Sequence, residues 1–277
     1  MRSTFSRRIL VALTSLHPDA TTIAAEGQAP PPTGIGVEVA ALALVAGLSL
    51  IDNRAPRAWR VPANLACAAA MVGLARIRGA TLAEQGVATE SAPEGLRLGV
   101  CVGAAVAAAT GALSFVPQTR QLIDNPRIDE LSIRGMLYES VVRVPLGTAL
   151  PEELICRGAL PAMVSEKRSR RVAVAVTSLL FGLWHILPTY DRIRAQGQIP
   201  ASRVAGRVAL SVLVTTAAGW AFSWLRYRSG SVIAPAIVHT KFNSSGIIGS
   251  WLAARLSGPS KNGAEVISPQ GMDSRAA

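Results

Sequence analysis

Long apolar segments alternate with short polar segments along most of this chain. A helix needs about 20 apolar residues to cross the hydrocarbon core of a bilayer, and several segments approach or exceed that length. No polar stretch between them is long enough for a separate soluble domain, so we predict one membrane domain over residues 36–256. The predicted fold class is all-α, a multi-pass transmembrane helical bundle of about seven spans with a polar cavity. The predicted spans are residues 37–51, 61–75, 98–116, 136–164, 172–187, 208–225 and 232–256.

The two ends of the chain differ from this domain. Residues 1–35 are basic at the start and close with a proline run, APPPTG, which predicts a disordered N-terminal tail with a stiff linker. The apolar run 9–16 within this tail is too short to span a bilayer, and a retained signal anchor is the alternative. Residues 257–277 are polar and predict a disordered C-terminal tail.

The span at 136–164 differs from the others because it carries both charges and prolines. Such a segment must face the interior of the bundle or a water-filled cavity. Pro145 and Pro151 predict a break or kink, with two separate helices as one outcome, and Pro151 is compatible with a helix start. The unusual residues of this span are Glu139, Arg143, Pro145, Pro151, Glu152, Glu153, Arg157 and Pro161.

Composition and charge support a membrane protein. Only 16% of the 277 residues are charged, against roughly 25% in a soluble domain. The net charge is +11, but the basic residues lie mostly between the apolar segments, as in the stretch KRSRR at 167–171. That placement suits contact with anionic headgroups, so we predict membrane lipids as partners and no nucleic-acid binding.

Three short polar clusters lie within the apolar segments. An ionisable group inside a bilayer costs several kcal/mol unless it is paired or hydrated, so each cluster is a candidate functional site. Residues four apart share one face of a helix, which places the key residues of each cluster together. The clusters are Glu152-Glu153-x-x-x-Arg157 in PEELICRG, Phe181-x-x-x-His185 in FGLWH and His239-x-x-x-Asn243 in HTKFN.

The first cluster offers two carboxylates with different environments. Glu153 and Arg157 are four apart and are expected to form an ion pair. Glu152 points about 100° away on the helix and is left to face a cavity as a base or a ligand.

The histidines allow two chemistries with the same residues. Glu152, His185 and His239 match the ligand set of a catalytic zinc site with an open water position. In a metal-free alternative, Glu152 deprotonates water while His239 and Asn243 donate hydrogen bonds to the developing oxyanion. Both chemistries require the three segments to converge.

Each cluster also has a purely structural interpretation. A glutamate–arginine pair can clamp a helix, a single histidine can be a packed core residue, and a His-x-x-x-Asn pair can join two helices by a hydrogen bond. The combination favours function, because a buried polar set of this kind is costly to keep for packing alone.

The order of these motifs resembles the CPBP family of intramembrane proteases, which includes the type II CAAX prenyl endopeptidases and the Abi, bacteriocin-immunity and lysostaphin-resistance-like proteins. The similarity covers residues 81–256, the expected protease-like core. It implies that Glu152 activates water, that Glu153 is held by Arg157, and that Asn243 helps to hold the oxyanion. His185 and His239 match the two motif histidines. Cys156 departs from the family, in which an aromatic residue often precedes the arginine, and is expected to alter the shape of the pocket.

The leading functional hypothesis is therefore a CPBP-type intramembrane endopeptidase. Zn²⁺ is its candidate cofactor, and the predicted location is a bacterial-type plasma membrane. The substrate would be a peptide or protein at the membrane, prenylated or not. The first alternative is a non-catalytic membrane immunity or scaffold protein that uses the polar clusters as structural clamps. The second is a metal or proton transporter, which the lack of recognisable inverted repeats disfavours.

Overall fold

The structure is a computed structural model. It describes residues 54–116, 130–195 and 200–256, together with isolated positions at 43, 45–47, 128 and 197. Both predicted tails and most of the first predicted span, 37–51, lie outside the described residues.

All regular elements of the described residues are helical. A 3₁₀ turn, Thr89–Ser91, precedes the second helix. The helices, numbered here in chain order, are α1 Arg57–Ile77, α2 Ala92–Ser114, α3 at residues 133–165, α4 Arg170–Trp184, α5 Ile186–Ala195, α6 Ala201–Ser229 and α7 Ile233–Leu256.

Four helical segments of the described chain are long and apolar enough to cross a bilayer. α3 and α7 are not among them because polar residues interrupt their apolar sequence. The prediction of an all-α membrane bundle is confirmed, and the protein is a membrane protein. The four segments are Arg57–Ile77, Thr89–Leu113, Arg170–Ala195 and Ala201–Ser229.

The helix α3 is continuous, and the prediction that it might divide into two helices is wrong. Its backbone stays helical through Pro145 and Pro151, because three stretches adopt the wider π-helical winding in which bonds run to the fifth residue. Pro151 therefore lies inside the helix and not at its start. The π stretches are Glu139–Arg143, Pro145–Ala149 and Leu154–Ala159.

Side chains from two other helices donate to backbone carbonyl oxygens near the prolines of α3. Asn64 on α1 donates to the carbonyl oxygen of Gly147, one turn before Pro151, at 2.6 Å. On the opposite flank, Ser244 on α7 donates to the carbonyl oxygen of Ser140 at 2.7 Å. These bonds hold α3 between α1 and α7.

The most extensive helix contact joins α2 and α7. Gly95, Gly99 and Gly103 are spaced by four residues along α2, and a Cβ at any of them would lie 3.1–3.2 Å from atoms of α7. This close packing of small residues is typical of helices in membranes.

Candidate active site

Glu153 is the centre of a buried ionic network. Both Glu153 and Arg157 lie within α3, with exposed fractions of 0% and 2%. Arg157 Nε is 3.2 Å from Glu153 Oε2, and Arg157 Nη1 donates to Glu153 Oε1 at 3.3 Å, which is the pairing expected from their spacing. His239 on α7 contacts the same Oε1 through its Nδ1 at 2.9 Å. One carboxylate therefore joins α3 to α7.

Two phenylalanines enclose this network. The guanidinium carbon of Arg157 lies 4.0 Å from the ring centre of Phe181 on α4 and 5.2 Å from that of Phe222 on α6. The ring of Phe222 also stacks on His239, with 5.1 Å between centres and 24° between planes. These contacts stabilise the cation and fix the plane of the imidazole.

His239 connects the two glutamates. Because a carboxylate paired with arginine only accepts hydrogen bonds, the Nδ1 atom of His239 carries a proton. In the neutral ring Nε2 is then an acceptor, and it lies 3.9 Å from Oε2 of Glu152, which is itself 6% exposed. If a water oxygen lay about 2.8 Å from both atoms, the angle between them at the water would be about 90°, so one water can contact both.

His185 lies at the junction between α4 and α5. The backbone N–H of His185 bonds to the Gly182 carbonyl, three residues back, at 3.0 Å, so the helix tightens at its last turn. The side-chain Nδ1 donates to the carbonyl oxygen of Phe181 at 2.7 Å. Since a carbonyl only accepts, the neutral ring again leaves Nε2 as an acceptor.

Asn243 lies one turn beyond His239 on α7 and is half-buried. Its place beside the site rests on this helical spacing. The next residue, Ser244, is the donor to α3 described above, so this part of α7 is anchored against the helix that carries the glutamates.

A narrow cleft lies beside Glu152, and its walls are too close for a substrate to enter without movement. Four of the five residues that line this cleft are apolar, whereas most of the charged groups of the site contact one another. The cleft is lined by Glu152, Ile155, Cys156, Phe181 and Trp184.

The donor groups, as placed here, do not fit a metal ion. Glu152 Oε2 and His239 Nε2 are 3.9 Å apart, whereas two ligands of a tetrahedral zinc ion would be about 3.4 Å apart. No three His, Cys, Asp or Glu side chains of the described residues stand close enough to share an ion. Zinc binding through Glu152, His185 and His239 stays an untested alternative to the metal-free chemistry.

The structure brings together most of the predicted site. Glu152, Glu153, Arg157 and His239 form one cluster, and the ring of His185 is 4.7 Å from that of Phe181, which contacts Arg157. Sequence analysis missed Phe222. The chain has five phenylalanines, and nothing in the local pattern around this one sets it apart.

Membrane-spanning helices around a buried set of glutamates, histidines and an arginine define the class of this protein, an integral membrane protein with a candidate hydrolytic site. Residues 134–245, which contain all three motifs, match the family model described as type II CAAX prenyl endopeptidase Rce1-like. This match supports the CPBP family of intramembrane proteases, to which the motifs in this region had pointed. No curated protein and no solved structure matches the chain.

Proposed function

We propose that this protein is an intramembrane endopeptidase in which Glu152 activates the attacking water. The observation that carries the proposal is the buried approach of Glu152 Oε2 to His239 Nε2, at 3.9 Å, within the matched region. The two acceptors can hold one water between them, and Glu153 and Arg157 fix the imidazole from the other side.

In the proposed reaction the water oxygen attacks the carbonyl carbon of the peptide bond while Glu152 accepts one water proton. The Nε2 atom of His239 orients the water by accepting its second O–H, and the Asn243 amide donates to the oxyanion. Collapse of the tetrahedral intermediate breaks the C–N bond, and Glu152 passes its proton to the leaving amine. One water is consumed and no proton is left over.

The oxyanion role predicted for His239 has an additional requirement. Its Nδ1 proton already faces Glu153, so donation from Nε2 needs the doubly protonated ring. Asn243 needs no change of protonation, and we therefore assign it the larger share of oxyanion stabilisation.

The proposed substrate is a peptide or protein segment at the membrane, prenylated or not. The family description names prenyl endopeptidases, and the cleft beside Glu152 has four apolar residues among its five lining residues. Apolar walls favour an apolar side chain next to the scissile bond.

The test compares the wild-type protein with Glu152→Gln in liposomes, using matched prenylated and unprenylated peptides. We expect Glu152→Gln to lower the cleavage rate by about 10²–10⁴-fold, because the general base is lost, while the thermal midpoint changes little. Glu139→Gln is the control, since Glu139 lies in the same helix but pairs with Arg143. Undiminished cleavage by Glu152→Gln would contradict the mechanism, whereas no cleavage by either protein would favour the structural-clamp alternative.

A further inference from the structure

One nitrogen of the Arg157 guanidinium, Nη2, takes no part in the ionic network. Its Nε and Nη1 atoms face Glu153, and its flat faces contact Phe181 and Phe222. Its Nη2 atom is buried and makes no hydrogen bond to any residue that the structure describes. A buried charged donor of this kind is costly unless an acceptor is supplied.

The Nη2 atom points into the contact between α4 and α6. A Cβ at Gly219 on α6 would lie 3.1 Å from Arg157 Nη2 and 3.1 Å from Cα and Cβ of Ser178 on α4. Nη2 and Ser178 Cβ are therefore at most about 6 Å apart. The missing side chain of Gly219 creates the space that Nη2 occupies.

A hydroxyl in this contact, that of Ser178, also lacks a hydrogen-bond partner among the described residues. Ser178 is 1% exposed, and its Oγ makes no hydrogen bond to the described residues. Most buried serines in helices bond to a carbonyl one turn earlier, as Ser223 on the facing helix does with Gly219 at 2.9 Å. These two unmatched polar groups at the same helix contact form a complementary pair, because Nη2 is a donor and a hydroxyl oxygen can accept.

We propose that Ser178 is a positioning residue of the active site, whose hydroxyl completes the hydrogen bonding of Arg157 Nη2 through one buried water. A water needs two to four polar partners, and these two atoms supply the first two. The Oγ1 of Thr216, also buried and without a hydrogen bond to the described residues, lies further along the same contact. With both ends held, Arg157 fixes Glu153, which in turn fixes His239.

The first test is a double-mutant cycle on stability, which does not depend on the proposed peptidase function. Ser178→Ala is measured in the wild-type protein and in Arg157→Lys, which keeps a cation for Glu153 but has no atom at the Nη2 position. Ser178→Ala should raise the unfolding equilibrium constant about tenfold in the wild type and less than twofold in Arg157→Lys, because only Nη2 needs the hydroxyl. Ser223→Ala is the matched control and should have the same effect in both backgrounds.

Equal effects of Ser178→Ala in the two backgrounds, or no effect in the wild type, would overturn the inference even if cleavage is confirmed. The second readout is kinetic and rests on the proposed function. Ser178→Ala should lower kcat with KM unchanged, while Ser223→Ala changes neither, because a purely structural serine would not affect the turnover of the folded fraction. A loss of kcat of equal size in both variants would also overturn the positioning role.

Discussion

The bond between Ser244 and the backbone of Ser140 gives the sharpest test of how α3 is held. The π winding directs the N–H of Val144 to the carbonyl of Glu139, five residues back. The next π donor for the Ser140 carbonyl would be residue 145, which is proline and has no N–H. The hydroxyl of Ser244 supplies the missing hydrogen bond at 2.7 Å, in a place where Ser140 is 4% and Ser244 9% exposed.

Ser244→Ala removes this donor and leaves a buried carbonyl without it. The expected cost is about 1–3 kcal/mol, the usual penalty for an unsatisfied buried polar group. At about 2–4 °C per kcal/mol for a chain of this size, the thermal midpoint in detergent should fall by roughly 2–12 °C. Ser245→Ala, at the half-buried neighbouring position, is the control and should change the midpoint by less.

A rescue variant makes this prediction specific. Pro145→Ala introduces an N–H at the position from which a π-helical bond would reach the Ser140 carbonyl. In the Pro145→Ala background, Ser244→Ala should lower the thermal midpoint by less than half as much as it does in the wild type. The reasoning fails if the cost is the same with and without Pro145, since the carbonyl would then not have depended on Ser244.

Three further outcomes are expected. Phe222→Leu removes the ring that stacks on His239, so kcat should fall by about tenfold in the peptide-cleavage assay, and an unchanged kcat would exclude a positioning role. Gly182→Ala should destabilise the protein by about 1–3 kcal/mol in thermal unfolding, because its Cβ would lie 2.0 Å from Thr216 Oγ1 and 2.7 Å from the Val212 carbonyl oxygen. Thr216→Ala should recover only part of this loss, since the carbonyl contact remains. Treatment with a chelator should leave cleavage unchanged, whereas loss of activity restored by added Zn²⁺ would establish the metal-dependent alternative.

The parts of the fold that follow from local rules could be predicted from the sequence. Apolar length predicted the helices of the bundle, and the four-residue spacing predicted the Glu153–Arg157 pair. The same spacing predicted the contact between Phe181 and His185, whose ring centres are 4.7 Å apart. Each of these features depends on neighbours within one helix.

Features that join different helices could not be predicted in the same way. The Glu153–His239 bond links residues 86 positions apart, and the motifs indicated only that such residues would converge. The π winding of α3 also escaped sequence analysis, because prolines predict a break without showing whether the chain turns away or widens its helix. The contact of Arg157 with Gly219 depends on a missing side chain, and small residues are common throughout membrane helices.

The prolines of α3 connect these observations. A proline inside a helix leaves a carbonyl without its usual donor, and in a membrane that carbonyl must find another. Here a carbonyl one turn before Pro145 accepts from Ser244 on α7, and a carbonyl one turn before Pro151 accepts from Asn64 on α1, so the two segments are held by different neighbours. Glu152 and Glu153 follow Pro151 directly. The two hydrogen bonds to this irregular part of α3 therefore hold the segment that carries the carboxylates between α1 and α7. This keeps both glutamates at fixed distances from the imidazole of His239.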